Sequence, residues 1–146
     1  MKKCFFLICF LLLFSACGHP VDSSDIKKIN GYWEIENVVL PNGEKKDYTI
    51  NETYDYFEIK GNSGTRTKVM PQLNGTFLTN GISERLKIVT EKEQTFIEYT
   101  TEYAKWREQL LEVTDTELVL LNPQKNEYHY KKTGPINLKA DGKKAP

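Results

Sequence analysis

Covalent chemistry needs a nucleophile, a proton carrier or a bound metal, so the histidines, carboxylates and cysteines come first. There are two histidines, His19 in a polar N-terminal stretch and His129 between Tyr128 and Tyr130. Strand alternation turns His129 away from both tyrosines and makes it a surface or edge residue, poorly placed for acid–base work. No Cys/His group, no His-x-x-x-His pair and no acidic ladder has metal-ligand spacing. Glycoside hydrolysis needs only two carboxylates, and Glu34, Glu58, Glu98 and Glu108 are the acids that could face inward. Isolated acids on alternating strands belong to the solvent face, so the expectation is a protein that is not an enzyme, with no metal and no cofactor. The triplets Asn51-Glu52-Thr53 and Asn74-Gly75-Thr76 match a glycosylation sequon at chance frequency.

The three cysteines are Cys4, Cys9 and Cys17. Lys2 and Lys3 precede an apolar run, Phe5 to Phe14, whose length of about 15 Å as a helix is half of what a bilayer core requires. With the small residues Ser15 and Ala16 behind it, the segment has the form of a secretory signal peptide, residues 1–16. Its removal leaves Cys17 alone, so no disulfide can form within one molecule. Phe14-Ser15-Ala16-Cys17 resembles the bacterial lipobox, although the usual Leu three places before the cysteine is Phe here, with Leu13 one place earlier. The resemblance implies that Cys17 carries long acyl chains of the palmitate kind. At about 0.8 kcal/mol per buried CH₂, two such chains hold a protein on a membrane permanently. The alternative, conventional cleavage nearby, leaves an unmodified exported thiol.

Residues 17–25 are polar and turn-forming and suit a tether. Gly18-His19-Pro20-Val21 does not resemble the acidic or Lys-led export signal of some surface lipoproteins, so the expected address is the cell envelope, on the outer membrane facing the periplasm. At the other end, residues 133–146 combine Pro, Gly and charge without apolar periodicity and are expected to form a disordered tail. The full chain of 146 residues balances 20 Lys and Arg against 20 Asp and Glu, and loss of Lys2 and Lys3 leaves 18 against 20. Without a basic excess, nucleic acid is excluded as a partner.

Short runs rich in Tyr, Phe, Ile, Val, Leu and Thr recur through residues 26–132, each bounded by Asn, Gly, Pro or Asp. They predict strands near 31–40, 44–50, 54–60, 65–70, 75–80, 83–90, 94–102, 105–113, 117–122 and 126–132. Pro41-Asn42-Gly43, Gly61-Asn62-Ser63-Gly64, Asn80-Gly81 and Asn122 to Asn126 are hairpin breaks. A helical turn is expected only over Ser24 to Ile29. The fold class is therefore all-β, an antiparallel up-and-down β-barrel of 8–10 strands with a short N-terminal helical turn.

Alternation indicates the dry side. Trp33, Ile35 and Val39 fall on one face of the first strand, and Leu86, Ile88 and Thr90 on one face of the sixth. The third strand is undecided, with Tyr54, Tyr56 and Glu58 opposing Asp55, Phe57 and Ile59. The ninth is apolar on both faces from Leu118 to Leu121, which calls for cover from outside the barrel, by the N-terminal turn or the tail.

Gly31-Tyr32-Trp33 opens the first strand directly after the helical turn, and Thr101-Glu102-Tyr103 is followed by Ala104-Lys105-Trp106. These resemble the Gly-x-Trp and Thr-Asp-Tyr signatures of lipocalins, and the chain is similar to the small bacterial lipocalin-like lipoproteins of the Bacteroidetes type. The resemblance implies that Trp33 closes the barrel bottom. The third lipocalin signature, an Arg stacked on that Trp, is missing, and Lys131 and Lys132 stand near its place.

Two readings follow. In one, the barrel mouth accepts a small apolar or amphipathic molecule, with Trp33, Ile35, Phe57, Ile88, Ile97, Tyr99 and Trp106 as inward candidates, and Cys17 supplies the membrane contact. In the other, side chains fill the barrel, and the protein is a structural or interaction component that meets an envelope protein partner through its outer surface.

Overall fold

The computed structural model describes residues 21–136. The signal segment, Cys17, the first part of the tether and residues 137–146 of the tail lie outside them. A short 3-10 turn, Ile26–Ile29, leads into ten antiparallel strands: β1 (Gly31–Val39), β2 (Lys45–Asp47), β3 (Tyr54–Lys60), β4 (Ser63–Pro71), β5 (Phe77–Leu78), β6 (Ser83–Glu91), β7 (Gln94–Thr100), β8 (Lys105–Val113), β9 (Glu117–Leu121) and β10 (Glu127–Thr133).

Eight of them close a ring in the order β1, β3, β4, β6, β7, β8, β9, β10, and β10 returns to β1 from Tyr32↔Thr133 to Val39↔Glu127. Closure gives every strand of the ring a neighbour on both sides. The other two are short attachments at one rim. β3 pairs with β1 only through Gly31 to Trp33, and β2 takes the vacated edge at Asn37 to Val39. β5 folds onto the end of β4 through Met70 and Pro71. The breaks between strands hold the expected turn residues, with Gly43 at φ +84° and Gly61 at φ +64°. The β6–β7 hairpin is different, because its two central residues are Lys92 at φ +48° and Glu93 at φ +64°. That is the tight primed turn that Asn-Gly normally occupies.

One end of the barrel is closed. Ile26 and Ile29 of the 3-10 turn insert into the core beside Trp33, Phe57, Ile59, Leu118 and Val113. Trp33, Phe57, Ile97, Tyr99, Leu118 and Leu120 are almost wholly inaccessible, each worth about 1.5–3 kcal/mol of burial. Close packing also explains Gly64, whose inward position faces Ile59 across the β3–β4 pair. A Cβ there would run into the Glu58 carbonyl oxygen, so no other residue fits without a shift of the backbone.

Two bulges alter the alternation read from sequence. In β1 the register shifts between Ile35 and Asn37, so Val38, not Val39, pairs with the inward Tyr128 and is buried. A second shift between Leu110 and Glu112 brings Val113 into the core of β8. β3 resolves with Asp55, Phe57 and Ile59 inward. Its outer face is also dry at Tyr54. The β4–β5 hairpin folds back so that Phe77 stacks on Tyr32 at 4.2 Å, with Tyr56 at 4.6 Å from the same ring. The N-terminal turn closes the barrel from below.

Candidate functional site

The closed end is locked by two polar side chains. Trp33 donates its indole Nε1–H to the Ile29 carbonyl at 2.6 Å. On its face lies Lys132, opposite it in β10, with Nζ 4.4 Å from the ring centroid. The same ammonium donates to the carbonyls of Lys28, at 2.7 Å, and Asn30. Burial lowers its affinity for a proton, and the two carbonyls together with the indole face hold the charged form in compensation. Gly31 sits at φ +114°, and a Cβ would meet the Lys132 stem at 3.2 Å. Glycine at that position admits both the backbone turn and the lysine.

Above this plug the interior is charged. Arg66 of β4 places Nε 2.5 Å from Glu84 of β6 and Nη1 3.6 Å from Glu108 of β8, with its guanidinium 4.2 Å above the Tyr99 ring. Asp55 of β3, 3% exposed in its side chain, has Oδ1 2.6 Å from Nζ of Lys68, which is 60% exposed. Burial pushes the Glu108 carboxyl above the ordinary glutamate range, and Arg66 opposes that rise. Burial also works against the Arg66 charge, but Tyr99, Glu84 and Asp55 outweigh it and keep the guanidinium protonated. Burial raises the Tyr130 phenol, and Asp55 and Glu108 raise it further. Three carboxylates thus share the interior with two cations. Asp55 Oδ1, Glu108 Oε2 and the Tyr99 hydroxyl are all buried without an aligned hydrogen-bond partner.

The barrel opens at the opposite end. A cavity of about 330 Å³ descends there, walled by Trp33, Ile35, Asp55, Lys68 and Tyr130 from the barrel and by Tyr48 to Thr53 from the β2–β3 loop. The loop is pinned across the entrance by Asn51, whose side-chain amide donates to the Ile35 carbonyl at 2.9 Å and to Glu34 Oε1 at 3.0 Å. Thr53 and Lys68 also border a second, apolar hollow of about 340 Å³ with Met70 and Leu78. The large apolar side chains exposed among the described residues, Ile50, Met70, Leu73, Leu78, Ile82 and Tyr103, stand on loops or strand ends at this rim.

Of the seven residues proposed from sequence, Trp33 and Ile35 line the mouth cavity. Phe57, Ile88, Ile97 and Tyr99 sit in the core beneath it, and Trp106 packs at the core edge with its ring stacked on Tyr99 at 5.2 Å. Cys17 lies outside the described residues. The acids divide. Glu58 is exposed, Glu98 is half-exposed with Arg107 3.7 Å away, and Glu34 receives Asn51 at the rim. Glu108, however, is buried, and so is Asp55, which corrects the expectation that such acids face solvent. Phase carries that signal: Trp106, Glu108 and Leu110 share one strand face, as do Asp55, Phe57 and Ile59. Arg66 had no such apolar neighbours in sequence, since Gly64 and Lys68 flank it on its own face. His129 lies on the barrel wall with Nε2 2.7 Å from Glu127.

Residues 29–120 match the lipocalin-like domain family. The chain belongs to that family. Among solved structures, this lipocalin-like barrel is similar to a lipocalin-like protein from Bacteroides uniformis, with 9% identity and a TM-score of 0.46 over 73% of this chain and 99% of the other. An uncharacterized protein from Bacteroides eggerthii shows 11% identity and a TM-score of 0.45 over 71% and 98%. Lobster apocrustacyanin A1 shows 11% identity and a TM-score of 0.46 over 82% and 68%. No curated protein matches the chain. The lipocalin-like barrel with a hollow at one end is the architecture of a small-molecule binding module.

Proposed function

We propose that this lipocalin-like protein is a non-enzymatic, lipid-anchored envelope module that binds a small apolar or amphipathic molecule at its barrel mouth. The observation that carries the reading is the cavity of about 330 Å³ that reaches from the open rim down to Trp33 and Tyr130. Such a volume lies at the small end of ligand sites. Apolar groups at the rim offer a hydrophobic route into it.

Acylation of Cys17 and a place on the outer membrane facing the periplasm complete the reading, and they rest on the lipobox resemblance. The chain enters the barrel at its closed end through Ile26–Ile29. A lipid on Cys17 would therefore leave the mouth directed away from the anchoring bilayer and open to the compartment. Metabolic labelling with an acyl-chain analogue tests the anchor: label on the chain and its loss in Cys17→Ser are expected, and label kept by the mutant refutes acylation there. Native mass spectrometry after mild extraction tests the binding. A small apolar adduct at unit stoichiometry supports it, and a bare chain that does not take up added amphiphiles refutes it.

One observation favours the second reading, an envelope interaction component with a filled barrel. Phe57, Ile97, Leu118 and Leu120 are almost wholly buried in the lower interior. Under that reading a protein partner would be retained in place of the adduct.

A further inference from the structure

The binding-module reading leaves the ligand's chemistry open, and the buried charges in the cavity wall bear on it. Asp55 and Glu52 line the mouth cavity against a single cation, Lys68. Asp55 is 2% exposed, and its Oδ1 atom has no aligned hydrogen-bond partner. The Lys68 ammonium lies 2.6 Å from Oδ1, but it is carried on a flexible stem that is 60% exposed. A ligand group can displace it into water at small loss. Arg66, the other interior cation, is already held by Glu84 and Glu108 and stacked on Tyr99.

We infer that the ligand is an amphipathic cation, an ammonium group bearing an apolar body. Its head replaces the Lys68 ammonium on Asp55, between the rings of Trp33, Tyr48 and Tyr130, which also line the cavity. Aromatic faces attract a desolvated ammonium. The apolar body lies against Ile35 and Ile50 and continues past Thr53 into the hollow between Met70 and Leu78. An anionic amphiphile of the same shape would bring a carboxylate against Asp55 and Glu52. A neutral one would leave Lys68 in place and gain only the apolar contact.

The inference rests on the binding reading, and a matched set of soluble probes separates the two. Phenylbutylamine, phenylbutanol and phenylbutanoate share one apolar body and differ in head charge at neutral pH. Isothermal titration of the full chain in non-ionic detergent, with detergent blanks, is expected to show the amine binding about tenfold or more tighter than either other probe, a difference of about 1.4 kcal/mol. Asp55→Asn should bring the three within about threefold of one another. Lys68→Met, which keeps the carboxylate and removes its competitor, should tighten the amine and weaken phenylbutanoate. Equal binding of all three probes, or preference for the anion, overturns the cationic assignment while the binding reading survives. Binding of none overturns both. If Asp55→Asn does not fold, as judged by circular dichroism, Lys68→Met decides: amine affinity that stays level or falls overturns the inference.

Discussion

Replacing Arg66 by methionine keeps an unbranched apolar stem but removes the guanidinium and its charge at the centre of the barrel's polar layer. The side chain is 11% exposed, as is that of Glu108, and Glu84 is 28% exposed. Removing one partner of a buried ion pair costs about 3–5 kcal/mol, chiefly through the charge left behind. Glu84 can recover some hydration, so the lower value, about 3 kcal/mol, is expected at neutral pH. With a urea m-value of about 2 kcal/mol/M, the unfolding midpoint falls by about 1.5 M. The deficit also depends on pH. Burial already raises the folded-state pKa of Glu108, and Arg66 is the largest influence in the other direction. Its loss raises that pKa further. A carboxyl whose pKa is raised in the folded state contributes fully below its unfolded value and loses that contribution as pH rises through the folded one. The variant's deficit should therefore be smallest near the ordinary glutamate range and grow toward alkaline pH, by about 1.4 kcal/mol for each unit of additional shift. Urea titrations followed by Trp33 and Trp106 fluorescence measure this directly. A deficit under about 1 kcal/mol, or one unchanged between about pH 5 and pH 8, would refute the account of a charge held in place by Arg66.

Lys132→Met should lower stability by about 1.5–3 kcal/mol, because its ammonium bonds two carbonyls at the closed end. Lys132→Arg should recover much of the loss by stacking on Trp33, and equal melting of the two variants would count against the lock. Gly64→Ala forces a methyl group onto the Glu58 carbonyl, so a loss of about 1–3 kcal/mol or more is expected in thermal unfolding. The double change Lys92→Asn and Glu93→Gly should raise stability by about 1 kcal/mol, since both residues hold positive φ. An unchanged melting temperature would show the turn to be relaxed.

Much of the architecture was legible because strand alternation and turn residues operate locally. The spans near 54–60, 105–113 and 117–122 coincide with β3, β8 and β9 to within a residue. The closed-end tryptophan was legible from Gly31-Tyr32-Trp33, and Lys132, one of the two lysines near the place of the missing arginine, sets its ammonium over that ring. What escaped depends on contacts between distant strands. Neither bulge leaves a mark in residue type, so Val39 was assigned to the dry face that Val38 occupies. The rim attachments β2 and β5 read as strands equal to the rest, because nothing in Lys45–Asp47 or Phe77–Leu78 reveals how far the pairing extends. Strand phase placed Glu108 and Asp55 beside apolar residues, but their burial depends on cations from other strands, Arg66 for Glu108 and Lys68 for Asp55, that the phase of their own strands does not reveal. Residues Tyr48 to Thr53 wall the cavity through loop placement alone.

The bonding of β1 to β10 bears on how the chain reaches its native state. The first and last strands are neighbours in space but stand at opposite ends of the domain, so the ring stays incomplete until Glu127–Thr133 has been synthesised. Such a topology places a large loop-closure entropy before its reward and slows folding. Until the last strand arrives, β1 and β9 offer bare amide edges on which a second copy of the chain can pair, so misassembly competes with closure of the ring.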